Sequence, residues 1–266
     1  MVGNRENALI SEISSAYEIA VISKLGDREE QQDSFGFLTG ENELFAVLCD
    51  GMGGIKGGRK ASICAVKTAV EEFESAEPEE DPIPFMQMVT KLSDDRIVSL
   101  RDEEGNRLNG GSTMVMVLIR GRKLYWNSVG DSRIYLQRKK EFVQLTQDQN
   151  YRTVIDEQFR TGEISEKEYK EKQEGAEALI NFLGIGNLRL IDYNQEPLLL
   201  KKNDSILLTS DGLYKLVGDD EIHEIVTNFS RCDEALQMLE YKMKKYAARK
   251  HALRDNTTVM LIRILK

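Results

Sequence analysis

The chain has 266 residues, 30% of them charged and 41% hydrophobic, with a formal net charge of −9, enough for a sizeable core in one large or two small domains. Its acidic balance argues against nucleic acid or an anionic membrane as partner, and no apolar run reaches the roughly 18 to 20 residues of a membrane-spanning helix. Cys49, Cys64 and Cys232 form no CxxC pair or disulfide framework and "MVGNRENALISEISS" has no continuous apolar leader, so a reducing compartment, the cytoplasm, is expected.

In chain order, "AYEIAVISKLG", "SFGFLTG" and "ELFAVLCD" read as strands. The glycine-rich "GMGGIKGG" has neither a GK[ST] ending nor a GxGxxG pattern, so it reads as the entry to a helix rather than a nucleotide cradle. That helix is predicted from Gly57 to Phe73, where Ala61, Cys64, Ala65, Thr68, Ala69 and Phe73 recur at helical spacing. "EPEEDPIP" introduces a second helix over "PFMQMVTKLSDDRIVSL".

Four strand-like runs follow in close succession: "STMVMVLIRG", "KLYWNSVGD", "SRIYLQRK" and "EFVQLT". A tight turn at Gly121 joins the first two as a hairpin. A polar, helix-prone excursion, "TQDQNYRTVIDEQFRTGEISEKEYKEKQEGAEAL", then runs from Thr146 to Leu179, and its charged part, Glu163 to Glu174, is expected on the surface. It is either solvated decoration or a flap beside a site. "EPLLLKK" and "SILLTSD" resume the strands, Leu236, Leu239, Met243, Tyr246 and Ala247 mark a last helix, and "NTTVMLIRILK" closes the chain. Strands in succession, without a helix after each, favour antiparallel sheets. The expected fold is α+β, two packed sheets with helices outside, in a single domain over residues 1–266.

The acidic residues fall at the ends of these runs. Asp50 closes "LFAVLC", Asp131 closes "LYWNSVG", Asp211 closes "ILLTS", Asp255 precedes "NTTVMLIRI", and Asp33 precedes "SFGFLTG". Each alone is an ordinary turn former. If the ends converge, several negative charges share one small volume, which requires cations between them. The only histidines, His223 and His251, lie outside these motifs, so the donor set is all oxygen and suits Mg²⁺ or Mn²⁺. Gly51 and Gly212, which follow two of the aspartates, allow tight backbone turning and close approach of a carbonyl. Arg28, five residues before Asp33, is a surface ion-pair partner or a fork for two phosphate oxygens.

The ordered set "GDREEQQD", "DGMGG", "GGST", "GDSRIY", "LTQDQ", "SDGLY" and "DNTTVMLI" resembles the metal-dependent serine/threonine phosphatases of the PPM group, also called type 2C, from about Tyr17 to the C-terminus. The resemblance implies a β-sandwich with helices on both outer faces and two catalytic metals bridged by Asp50, with the Gly51 carbonyl, Asp211 and Asp255 as further ligands. It makes Asp33 a ligand or a support for the metals, Asp131 with Asp211 the holder of a third, weaker ion, and Arg28 the phosphate-binding residue. It also makes the excursion at about 146–187 a flap subdomain. Met52 in "DGMGG" matches bacterial members, where animal ones have His.

The implied activity is hydrolysis of phosphoserine and phosphothreonine in proteins by a water shared between two of two to three Mn²⁺ or Mg²⁺ ions. The implied setting is bacterial signalling, a monomer opposed by a eukaryotic-like Ser/Thr kinase. Gln31 and Gln32 stand where Asn and Glu are common, Gln149 where His is usual and Lys215 where an acidic residue is usual, and "GAEALINFLGIGNL" lacks an Arg-Asn pair. Gln149 and Lys215 support the alternative of a catalytically impaired pseudophosphatase that binds as a regulatory module. An aspartyl-phosphate enzyme fits less well, because Asp50-Gly51-Met52 lacks the second Asp of Asp-x-Asp.

Overall fold

The computed structural model describes every residue except 1, 4, 5, 54–56, 78 and 79. The first half contains β1 (Val2–Gly3), β2 (Ala8–Ile13), β3 (Tyr17–Lys24), β4 (Asp33–Thr39), β5 (Glu43–Gly53), α1 (Gly57–Ser75) and α2 (Pro82–Val98). A run of strands follows: β6 (Gly110–Ser112), β7 (Met114–Arg120), β8 (Lys123–Val129), β9 (Arg133–Arg138) and β10 (Glu141–Gln144). Then come α3 (Tyr151–Arg160), α4 (Glu166–Glu171), β11 (Asp192–Tyr193), β12 (Leu198–Leu199) and β13 (Ser205–Thr209). The last elements are α5 (Asp211–Tyr214), α6 (Asp219–Asn228), α7 (Cys232–Lys250) and β14 (Thr257–Ile264).

Two antiparallel sheets form, one in the order β1-β4-β5-β7-β8-β11 and the other β10-β9-β13-β14-β3-β2. Alternation sorts each central strand into two faces. From β5, Leu44, Ala46 and Leu48 meet Val117, Ile206, Leu208, Met260 and Ile262 in the layer between the sheets. Phe45, Val47 and Cys49 point the other way, onto Ala61, Ala65 and Val66 of α1 and Phe85 and Val89 of α2. On the second sheet, Leu207, Val259 and Leu261 face outward onto Leu236, Leu239 and Met243 of α7. The expected α-β-β-α layering is therefore what the residues build.

The differences from expectation have local causes. β5 does not stop at Asp50 but continues to Gly53, pairing with β6. The expected strand from Ser112 is split at Thr113, whose hydroxyl accepts the Asp50 N–H at 2.9 Å, while its own N–H bonds the Asp50 carbonyl at 2.8 Å. In "EPLLLKK" only Leu198 and Leu199 pair. β2 has no long apolar run to announce it, because it is a mostly exposed edge strand. α6 begins with three acidic residues that suit a helix N-terminus. Residues 54–56 of the glycine-rich loop lie outside the described residues. No described helix is long and apolar enough to cross a membrane.

Leu208 is fully buried between the sheets. Leu208→Ala should lower unfolding stability by about 2–5 kcal/mol, the usual cost of a core cavity. Urea denaturation measures it, and a loss below about 1 kcal/mol would contradict the packing described.

Candidate active site

The strand ends that carry the acidic residues lie at one end of the sandwich. Asp33 opens β4 and is paired in register with Asp50 of β5, so two carboxyl groups stand directly across a ladder. Asp131 follows β8 after Gly130, Asp211 is the first residue of α5 after β13, and Asp255 precedes β14. Asp50, Gly51, Asp131, Asp211, Asp255 and Arg28 line one cleft of about 710 Å³. Asp33 lies fully buried, accepts a 2.8 Å bond from the Ser210 hydroxyl, and bonds Asp50 and Thr258.

The cleft lining holds eight carboxylates and one guanidinium. Burial pushes the Asp33 carboxyl up to about 7, with the Asp211 charge adding to the shift. Burial, then the neighbouring Asp211, pushes Asp131 to about 7 as well. Asp50 is raised well above its ordinary value by burial and by Asp33, Asp211, Asp131 and Asp255 together. Burial also raises Asp211, opposed by the Lys215 ammonium. Bare carboxylates in this arrangement repel one another and resist ionising. Among the described residues no three acidic, histidine or cysteine side chains are already closed around one point; the carboxylates surround an open cleft. The donors fit hard divalent cations, being all oxygen and jointly short of positive charge.

Several supports were not legible in the motifs. Asp27 and Arg254 brace the two loops that carry Arg28 and Asp255: the Arg254 N–H donates to Asp27 at 2.9 Å, and the guanidinium adds bonds at 3.1 and 2.5 Å. The Arg254 guanidinium holds the Asp27 carboxyl down to about 2. Gly26 between them has φ +69°, and a Cβ there would lie 2.4 Å from the Asp255 carbonyl oxygen. Asn256 accepts from the Gln32 N–H at 2.8 Å and donates to the Leu25 carbonyl at 2.8 Å. These partners are about 230 residues apart in sequence, so no local pattern could reveal them.

At Gly51 the missing side chain serves close packing of a helix on a strand. A Cβ on it would lie 2.2 Å from the Gly58 carbonyl oxygen, so the residue permits α1 to press against β5. Its N–H bonds the Gln32 carbonyl at 3.1 Å, which also accepts from Ser62 at 2.5 Å.

Arg28 is exposed and donates to Asp255 at 2.6 Å, as the ion-pair reading of it expects, and it lines the cleft. Lys215 bonds Asp211 and sits 3.9 Å from Glu177. Glu177, Ala178 and Leu179 of the excursion form one wall of the cleft. Arg152 holds Glu177 at 2.7 Å and the Tyr151 N–H holds the Ala178 carbonyl at 3.0 Å. α4 has no buried residue, as the charged stretch around it implied.

Gln31 does not face the cleft. Its amide donates to Ser23 at 3.1 Å and accepts from the Asp33 N–H at 3.0 Å, in the buried layer. Gln149 is also buried, accepting from the Gly130 N–H at 2.9 Å and from Asn181 at 2.5 Å. Cys49 packs against α1, and burial pushes its thiol far up. Neither Cys64 nor Cys232 lines the cleft.

The sequence profile described as protein phosphatase 2C matches residues 23–246. The chain belongs to that family, the PPM phosphatases of bacterial type. It is 30% identical over 240 residues to "Serine/threonine phosphatase stp" of Listeria monocytogenes, covering 88% of this chain and 90% of the relative. Its fold is that of the S. agalactiae serine/threonine phosphatase, with a TM-score of 0.77 and 23% identity over 94% of this chain and 100% of that one. It also matches the catalytic domain of the serine threonine protein phosphatase PstP in complex with two manganese ions, with a TM-score of 0.72 and 24% identity over 94% and 99% of the two chains.

The raised carboxyl groups make stability depend on pH. Asp33 and Asp131 hold protons up to about 7 when folded, whereas an unfolded chain releases them near 3.9. The folded state therefore binds more protons between these values, and stability falls as pH rises through that window. In chelator, the melting temperature should be higher at about pH 5.5 than at about pH 7.5, and Mn²⁺ should raise it at the higher pH. Thermal scans measure both effects, and the opposite pH trend would overturn this assignment.

Proposed function

We propose that this chain is a metal-dependent protein phosphatase that hydrolyses phosphoserine and phosphothreonine in proteins. Its class, protein serine/threonine phosphatase, follows from its family and relatives. The observation that carries the metal-dependent reading is the meeting of Asp50, Asp131, Asp211 and Asp255 in one cleft, over buried Asp33, with Arg28 at the rim. The manganese in the PstP structure supports the same reading.

Asp50, the Gly51 carbonyl, Asp211 and Asp255 would hold two Mn²⁺ or Mg²⁺ ions, with Asp33 behind them, and Asp131 with Asp211 would take part in holding a third. When bound, such ions would supply a water acidic enough to attack phosphorus near neutral pH, and positive charge for the phosphoryl oxygens. The protein's part is to fix the carboxylates before substrate arrives. Thr113 and Ser210 hold the backbone and side chain on either side of the Asp33–Asp50 pair. Arg28 would grip two phosphoryl oxygens through its planar fork, exchanging its bond to Asp255 for the substrate. Residues 177–179 would act as the flap wall that borders the phosphorylated segment.

The pseudophosphatase alternative is not favoured. Gln149, one of its two supports, is committed to buried hydrogen bonds that hold Gly130 beside Asp131, a structural role. A cytoplasmic setting, opposition to a Ser/Thr kinase and a monomeric state belong to this proposal.

Turnover of a phosphothreonine peptide should require Mn²⁺ or Mg²⁺, and Asp50→Asn should abolish it while circular dichroism stays native. Equal activity in excess chelator would refute metal catalysis. Arg28→Ala should lower kcat/KM by roughly a hundredfold or more, as loss of a phosphoryl-oxygen donor does. A change smaller than about threefold, measured by steady-state kinetics, would remove Arg28 from the phosphate site.

A further inference from the structure

β9 and β14 run from the cleft to the opposite end of the sandwich, and β13 runs back toward it. The far end has the opposite charge. A groove of about 540 Å³ lies there between the β9–β10 turn, the turn at 201–204 and the end of α6. Five cationic side chains, Arg138, Lys139, Lys201, Lys202 and Arg263, line it against a single carboxylate, Asp204. In a chain of net charge −9 such a concentration is not average surface.

The groove has a fixed frame. Arg138 grips Asp204 with bonds of 2.6 and 3.1 Å and also donates to the Leu199 carbonyl at 2.8 Å, which locks the two turns together. Asp204 in turn accepts from the Lys201 N–H at 2.7 Å. Arg263 is buried and donates to the Val226, Phe229 and Ser230 carbonyls, covering the negative end of α6. With these charges spent on structure, Lys139, Lys201 and Lys202 are exposed and form no ion pair among the described residues. Lys139 and Asn203 have φ of +55° and +70°, so tight turns hold both lysine-bearing loops in place.

We propose that this groove docks an acidic, Asp- or Glu-rich segment of a partner protein, at a site separate from the carboxylate cleft. Charge complementarity selects the occupant. Cations carried on turns whose backbones are braced by the Arg138–Asp204 bonds offer an extended anionic chain a preorganised frame. The reading goes beyond the proposed catalysis and does not depend on it.

The test uses a fluorescein-labelled octapeptide of alternating aspartate and glycine, read by fluorescence polarisation with chelator present. Chelator removes metal ions that could draw the probe into the carboxylate cleft, and the variants below separate the groove from other cationic surface. The wild-type protein should bind, more weakly as salt rises. The triple variant Lys139→Asn, Lys201→Ala, Lys202→Ala should weaken binding roughly tenfold. The same charge change at exposed Lys60, Lys67 and Lys91 on α1 and α2 should leave it unchanged. A single Lys202→Glu should act in the same direction as the triple variant, should that one misfold. The proposal is overturned by absence of binding, by equal loss in both triple variants, or by an oligothymidylate binding as tightly as the peptide.

Discussion

Two carboxyl groups, Asp33 and Asp50, face each other across adjacent strands inside a protein. Like charges opposite one another in a sheet are destabilising, and burial sharpens the effect. The arrangement persists only if a proton or a cation lies among these groups. Asp131, Asp211 and Asp255 crowd the same cleft and deepen that requirement. Much of the surrounding structure can be understood as what holds this unfavourable cluster in place: the Thr113 hydroxyl on the Asp50 backbone, the Ser210 hydroxyl on Asp33, and the Asp27–Arg254 brace behind Asp255.

The sandwich supplies the rigidity. Its central strands are covered on both sides, by the other sheet and by helices, so the strand ends cannot relax apart without disturbing a packed layer. Longer side chains stand at the rim. Arg28 reaches across from an exposed loop, and Lys215 reaches from α5 toward both Asp211 and Glu177. The charge distribution is also polar along the sandwich, with carboxylates at one end and lysines at the other.

Most of the fold was legible because alternation and helical spacing mark buried faces directly. β5, β7, β13 and β14, α1 and α7 all follow from where Leu, Ile, Val and Ala recur. What escaped has little hydrophobic signal, as in the edge strand β2, or depends on a distant partner. The continuation of β5 past Asp50 needs β6 beside it, and nothing within "DGMGG" announces that. The candidate site was legible as a set of strand-end aspartates, and four of them, Asp50, Asp131, Asp211 and Asp255, line one cleft while Asp33 is buried behind it. The side chains of Gln31 and Gln149 were not legible, because an amide serves equally well beside a metal or inside a core. Only their buried partners, Ser23 and Gly130, decide between those uses.

Relief of the repulsion in this cleft by divalent cations is open to direct observation. Crystals grown or soaked with Mn²⁺ and measured at a wavelength where manganese scatters anomalously would locate the ions directly. At least two anomalous peaks are expected within coordination distance of Asp50, one shared with Asp211 or Asp255. A cleft without peaks at saturating Mn²⁺, or peaks confined to other carboxylates on the surface, would contradict it.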